Sequence, residues 1–182
     1  MIPSLDIVRT FLSSHNPVDT AESGSLRRIG ELVAGGGNPF SRAHYVPGHL
    51  TASGIVLNPQ RTKTLLIFHT KLQRWLQPGG HFEPGENDPS VAAAREVHEE
   101  TGMPTRWPGA EPVLLDVDVH VIPARKDEPA HEHFDLRMFL IAEEGQVNPN
   151  EVREAGWFEP RFFPELKLDP GTIRALKKVG LE

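Results

Sequence analysis

A glycine-rich stretch followed at short range by an acidic helix constrains this chain more than any other feature. Gly79-Gly80-His81-Phe82-Glu83-Pro84-Gly85-Glu86 reads as a turn, and Arg95-Glu96-Val97-His98-Glu99-Glu100-Thr101-Gly102 as the second half of a helix. Asp88 suits the N-cap, Pro89 the first helical position where no amide donor is needed, and Gly102 the C-terminal stop. Ala92, Ala93 and Ala94 favour helix in between. Helical spacing then puts Glu96, Glu99 and Glu100 on one face and Val91, Ala94, Val97 and Thr101 on a more apolar one. The apolar side predicts a packing surface, and the acidic side faces a cleft.

Carboxylates this close repel by roughly 0.2 to 0.5 kcal/mol per adjacent pair on an isolated helix, and by more where water is excluded. A cation among them would relieve that cost. Hard divalent ions such as Mg2+ take carboxylate and carbonyl oxygens and commonly share their shell with substrate phosphates. The plainer reading is a solvated acidic face on which Arg95 pairs with Glu99. The glycine stretch directly upstream favours the metal site.

Together these residues resemble the Nudix box of the Nudix (MutT-like) hydrolases. Its pattern, Gly, five residues, Glu, seven residues, then Arg-Glu-apolar-x-Glu-Glu-x-Gly-apolar, is met by Gly80, Glu86, Arg95, Glu96, Val97, Glu99, Glu100, Gly102 and Met103. The chain departs from it once, with eight residues, Asn87 to Ala94, between Glu86 and Arg95. An insertion within the helix would rotate the acidic face by about 100 degrees, so the extra residue is expected in the turn at Asn87-Asp88.

The resemblance implies an α/β fold, an α/β/α sandwich with a central mixed sheet. Glu96, Glu99 and Glu100 would hold Mg2+, or Mn2+ in its place, with the Gly80 carbonyl as a further ligand. Arg95 would orient the carboxylates, with Glu86 as its partner. The general base is left open between Glu96 and a carboxylate of another loop such as Glu83. The activity implied is cleavage of a phosphoanhydride in a nucleoside diphosphate linked to another group, such as a nucleotide sugar, a dinucleotide or a nucleoside triphosphate. Two other readings compete: pyrophosphate removal from RNA 5' ends, and a non-catalytic ligand-binding module on the same fold. Such modules usually lose box carboxylates, and this chain keeps all three.

The rest of the chain sets the context. Its 182 residues, 38% hydrophobic and 24% charged, suit one globular domain with an appendage. We expect a helical extension over 1–45 and the hydrolase domain over 46–182. No apolar run approaches the roughly 18 to 20 residues of a membrane span, and no signal-peptide pattern opens the chain. The absence of cysteine fits a reducing cytoplasm, and a net charge of -6 gives no broad attraction to nucleic acid or membrane. The expected partner is therefore a small nucleotide.

Apolar spacing predicts helices over Ser4–Ser14 and about Thr20–Ala34, read as a cap on the main domain. A substrate lid and a homodimer contact are the alternatives. Strands are expected over His49–Leu57 and Thr64–His69, with Trp75 a packing residue under the glycine turn and His69 and His81 flanking it. Pro112–Pro123 and His131–Ala142 read as an antiparallel pair joined by the polar loop 124–130. If that loop closes symmetrically, His120 opposes His133, Asp118 opposes Asp135, and Asp116 opposes Arg137.

Two aspartates directly opposed call for a cation or donor between them. This polar face, with His81, Glu83, Asp118, His133 and Asp135, is the candidate substrate-binding surface. His131-x-His133 also admits a transition-metal reading, for which no tetrahedral set is visible in the sequence. A last short strand is expected near Glu154–Pro160, followed by Phe162, Phe163, Leu166, Leu168, Ile173, Leu176 and Val179 as core residues.

Overall fold

The computed structural model describes residues 3–70, 72–125, 127–147 and 154–182. Residues 1 and 2 of the N-terminal segment and Lys126 of the polar loop lie outside these. Two helices come first, α1 (Asp6–Ser14) and α2 (Thr20–Ala34), the second capped by Asp19, whose side chain accepts from the Glu22 amide. The strands β1 (Gly48–Leu57), β2 (Thr64–His69), β3 (Arg74–Leu76) and β4 (Gly79–His81) follow, then helix α3 (Pro89–Thr101). After it come β5 (Val113–Ile122), β6 (His131–Ile141), β7 (Ala155–Phe158) and the helices α4 (Phe163–Leu166) and α5 (Pro170–Lys178).

All seven strands form one mixed sheet of order β3-β2-β1-β6-β5, with β4 beside the first half of β1 and β7 beside β2. The long central pair, β1 and β6, is parallel along its whole length, from Gly48 opposite Glu132 to Leu57 opposite Ile141. Because side chains alternate along a strand, this register aligns like with like. Leu50, Ala52 and Val56 of β1 join Phe134, Leu136, Met138 and Leu140 of β6 in one core, closed by Val8, Ile29 and Leu32 of α1 and α2 and by Ala92, Ala93 and Val97 of α3. Ile55, Leu57, Phe139 and Ile141 build the opposite core with Phe163, Ala175 and Leu176 of α4 and α5. The result is the α/β/α sandwich.

The second face changes character along its length. Toward the start of β1 and β6 it carries His49, Thr51 and Ser53 beside His133, Asp135 and Arg137. Strand β5 adds to it through a bulge between Leu114 and Asp116. Leu114 thereby joins the core beneath α1 to α3, while Asp116 opposes Arg137 on the other face.

The expected register is present in full: Asp116 opposite Arg137, Asp118 opposite Asp135, His120 opposite His133. The cation between the aspartates is Arg137, whose side chain is 2% exposed and lies 3.2 Å from Asp116, 3.3 Å from Asp118 and 3.2 Å from Asp135. Arg174 of α5 grips Asp116 with two nitrogens at 2.8 Å. Lys178 reaches both Asp116 and the buried Glu22 of α2, which His15 also meets at 2.7 Å. This network ties both ends of the chain to the sheet.

Three sequence readings need correction. Gly79–His81 is a strand paired with Thr51–Ser53, not a turn. Val91 is 53% exposed, because six residues before Val97 places it about 120 degrees around the helix; Ala92, Ala93, Val97 and Thr101 form the buried side instead. Phe162 is 39% exposed in the turn before α4, and Phe163 takes the core position. Trp75 packs edge-on against Phe68 and Phe158.

Candidate active site

Helix α3 runs without interruption from Pro89 to Thr101. Asp88 caps it by accepting from the Ser90 amide at 2.8 Å, and Gly102 ends it in the left-handed conformation at φ 71°, which costs glycine little. The extra residue between Glu86 and Arg95 therefore leaves the helical repeat undisturbed.

Arg95 organises the acidic face. Its Nη1 donates to Glu96 at 3.0 Å and to Glu99 at 2.8 Å. Its Nε and Nη2 donate to the two oxygens of Glu86 at 3.0 and 2.9 Å, and Nη2 also reaches the His81 carbonyl at 2.8 Å. One guanidinium thus joins helix, loop and β4. Hydrogen bonds to Glu86 hold Arg95 in its charged form against the opposing effect of burial. Burial of Glu86 works the other way, but Arg95 and the Glu83 amide keep its carboxyl below the usual range.

The helix presses closely on β4. Glu100 accepts from the Gly79 amide at 2.9 Å, and a Cβ on Gly80 would stand 2.7 Å from the Glu96 carboxylate, so any larger residue would push that carboxylate aside. The donor set assembled at this point is all oxygen: carboxylates of Glu96, Glu99 and Glu100 beside the Gly79-Gly80 backbone. That chemistry suits a hard divalent ion. Side-chain exposures of 14% for Glu96 and 37% for Glu99 leave the cluster open to a ligand.

Of the other candidates, His81, Asp118, His133 and Asp135 lie on the far side of the sheet. Gly80 faces α3, so alternation turns His81 toward the opposite face, where its ring is 5.0 Å from His49 and 5.1 Å from His133. Asp135 is buried and accepts from Thr51 at 3.0 Å, Ser53 at 2.8 Å and Arg137 at 3.2 Å, stitching β1 to β6. Asp118 is more open and meets His120 at 3.2 Å; burial opposes ionisation, but His120 and Arg137 hold its carboxyl at about 2. Glu83 is exposed, and its amide donates to Glu86 at 2.8 Å.

His49, Thr51 and Ser53 had not been singled out as site residues. The signal was present as a polar alternation, His-x-Thr-x-Ser, which the parallel register matches to His-x-Asp-x-Arg on β6. Burial, reinforced by neighbouring imidazoles, pushes His49 down to about 4 and His133 to about 2, so both rings are neutral.

The sequence model of the NUDIX domain matches residues 47–179. The chain belongs to the NUDIX family. Among solved structures, a NUDIX-family hydrolase from Clostridium perfringens superposes with a TM-score of 0.54 at 23% identity, over 72% of this chain and 96% of that one. A MutT protein from Bacillus halodurans gives 0.53 at 23% identity, over 70% and 79% respectively. The protein is accordingly a Nudix-type hydrolase, of a family whose enzymes act as pyrophosphohydrolases and generally use divalent metals. Its helices α1 and α2 precede the matched segment. No helix among the described residues is long and apolar enough to cross a membrane.

Proposed function

We propose that this Nudix hydrolase cleaves the phosphoanhydride of a nucleoside diphosphate linked to another moiety, whether a nucleotide sugar, a dinucleotide or a nucleoside triphosphate. The observation that carries the reading is the Arg95 fork, which gathers Glu86, Glu96 and Glu99 beside the Gly79-Gly80 edge, where Glu100 is also anchored. Bound there, Mg2+ or Mn2+ would neutralise bridging phosphate charge and lower the pKa of the attacking water.

The residues of the chain do the remaining work. Glu96, Glu99 and Glu100 form the oxygen cradle. Arg95 holds Glu96 and Glu99 through Nη1, braced by its two-nitrogen grip on Glu86, and the Gly79 amide holds Glu100, which saves the entropy of ordering them when substrate arrives. Gly80 keeps a Cβ out of the space beside the Glu96 carboxylate, where phosphate must approach. Glu96 would accept a proton from water, with exposed Glu83 as the loop alternative. A small nucleotide in the cytoplasm is the substrate that fits an acidic protein lacking a basic stripe.

The test is hydrolysis of a panel of nucleotide sugars, dinucleotides, nucleoside triphosphates and 5'-triphosphorylated RNA by purified protein with Mg2+. The proposal requires two phosphate-bearing products from a small nucleotide and at least a hundredfold slower turnover by Glu99→Gln. Turnover of RNA alone would move the assignment to 5'-end processing. No hydrolysis of any member, with Mg2+ or Mn2+, would leave a ligand-binding module.

A further inference from the structure

The face of the sheet away from the box helix gathers imidazoles in a way that the hydrolase chemistry does not use. The row follows the strand pairing. Thr51 of β1 opposes His81 of β4, His49 of β1 opposes His133 of β6, and His133 opposes His120 of β5. His131 lies on the same face, two residues before His133. Ring centroids are 4.8 Å apart for His49 and His133, 5.0 Å for His49 and His131, and 5.4 Å for His131 and His133. One nitrogen from each of these three lies within 4.8 Å of the others.

Two features show that the nitrogens are presented, not merely crowded. His131 donates through Nδ1 to the Pro129 carbonyl at 2.8 Å, and His49 through Nδ1 to the His44 carbonyl at 3.4 Å. Donation at Nδ1 fixes the tautomer and leaves the Nε2 lone pair bare, the outer-shell arrangement that orients metal-bound histidines. The second feature is independent. His49 is 1% exposed, and its Nε2 is one of two buried side-chain polar atoms without a hydrogen-bond partner among the described residues. Buried polar atoms are almost always satisfied, so this one marks a missing acceptor of its lone pair.

We propose that His49, His131 and His133, with His81 alongside, bind a late first-row divalent transition ion, Zn2+ being the reference case. Imidazole nitrogens suit Zn2+, Cu2+ and Ni2+, whereas Mg2+ selects oxygen. Tetrahedral Zn–N bonds of about 2.0 to 2.1 Å set the nitrogens about 3.4 Å apart, so the trio has to draw in by little more than an ångström. Three histidines leave a fourth position, which His81 or water can take. The site is chemically and spatially distinct from the box carboxylates: all nitrogen instead of all oxygen, and on the opposite face of β4. Its ligands come from β1 and β6, so the ion would clamp the central parallel pair where His81 brings β4 against it.

Isothermal titration of chelator-treated full-length protein with Zn2+ alone tests this. We expect one equivalent bound at micromolar concentration or tighter, undisturbed by a large excess of Mg2+, with Co2+ in the same site giving the intense visible absorption of tetrahedral coordination. His133→Asn and His131→Asn should each weaken binding at least a hundredfold, while Glu100→Gln should leave it unchanged. If a histidine variant fails to fold, the wild-type protein decides: Zn2+ must shift the imidazole 15N resonances of His49, His131 and His133. Absence of binding at micromolar Zn2+, loss of binding in Glu100→Gln, or unmoved imidazole resonances would each overturn the site.

Discussion

Two clusters in this molecule place an arginine among carboxylates, and they serve opposite ends. Arg95 lies on a helix face with Glu86, Glu96 and Glu99, at side-chain exposures between 14% and 37%. Arg137 lies in the middle of a strand, 2% exposed, among Asp116, Asp118, Asp135 and Asp169. Arg174 and Lys178 add two further cations around Asp116. At the inner cluster three cations of the chain answer four aspartates, and Asp116, Asp135 and Arg137 are shut from water. At the outer one, a single guanidinium is shared three ways in partial contact with solvent. Burial and the number of cations supplied by the chain together separate carboxylates that hold a fold from carboxylates that can take a ligand.

Removing one charged member of each cluster should give opposite results. Arg137→Met takes the arginine from buried Asp135 and one of three cations from buried Asp116, and uncompensated buried charge costs about 3 to 5 kcal/mol. Urea unfolding should show a loss of about 4 kcal/mol; a loss under about 1 kcal/mol would mean the inner cluster does not hold the fold. Glu99→Gln should behave in the reverse manner. We expect turnover to fall at least a hundredfold, equivalent to about 2.7 kcal/mol in the barrier, with the urea midpoint unchanged or slightly raised as repulsion is relieved. Near-native turnover would remove Glu99 from the catalytic set.

Acid sharpens the contrast further. Burial works against ionisation of Glu22, but hydrogen bonds from Lys178, the Val18 amide and His15 hold its carboxyl at about 2, against an unfolded value of 4.5. Arg174 also faces it, and both Arg174 and Lys178 are shared with Asp116. A depressed carboxyl contributes stability above the unfolded pKa and loses it as pH falls. Stability should therefore drop between pH 4.5 and about 2, and Glu22→Gln should flatten that part of the profile, measured by chemical unfolding at stepped pH. A variant with the same slope as the parent would mean Glu22 does not drive it. The smallest effect is Asp88→Ala, which removes the cap of the box helix. It should cost about 1 kcal/mol of stability, with turnover changed far less than by Glu99→Gln, since the carboxylates lie two turns further on.

The sequence carried the box helix well because its ends are marked by residues whose roles are local. Asp88, Pro89 and Gly102 act within a turn of themselves, so no tertiary knowledge was needed. The β5–β6 register was legible for the same reason, since a short loop between alternating strands allows little else. Long-range pairing was not. Nothing local says that β1 lies parallel to β6, and without that pairing His49 has no reason to meet His131 and His133. The two-residue glycine signal likewise misled: Gly79-Gly80 looked like a turn, when Gly79 serves close approach to Ser53 of β1 and Gly80 close approach to the Glu96 side chain. The cation expected between opposed aspartates was already in the chain as Arg137, two residues from one of them and hidden by its ordinary appearance in an alternating strand.

Glu22 reaches from the second helix to Lys178 in the last one, with Asp116 of the sheet beneath both. Trimming the chain back to its family-matched segment would delete one anionic anchor of that bridge and uncover Leu114 of β5, the strand against which α1 and α2 pack. The leading helices thus behave as a keel: expression of residues 47–179 by themselves should give a product that aggregates, and any shortened version intended for crystallisation should keep at least Val8 to Val33.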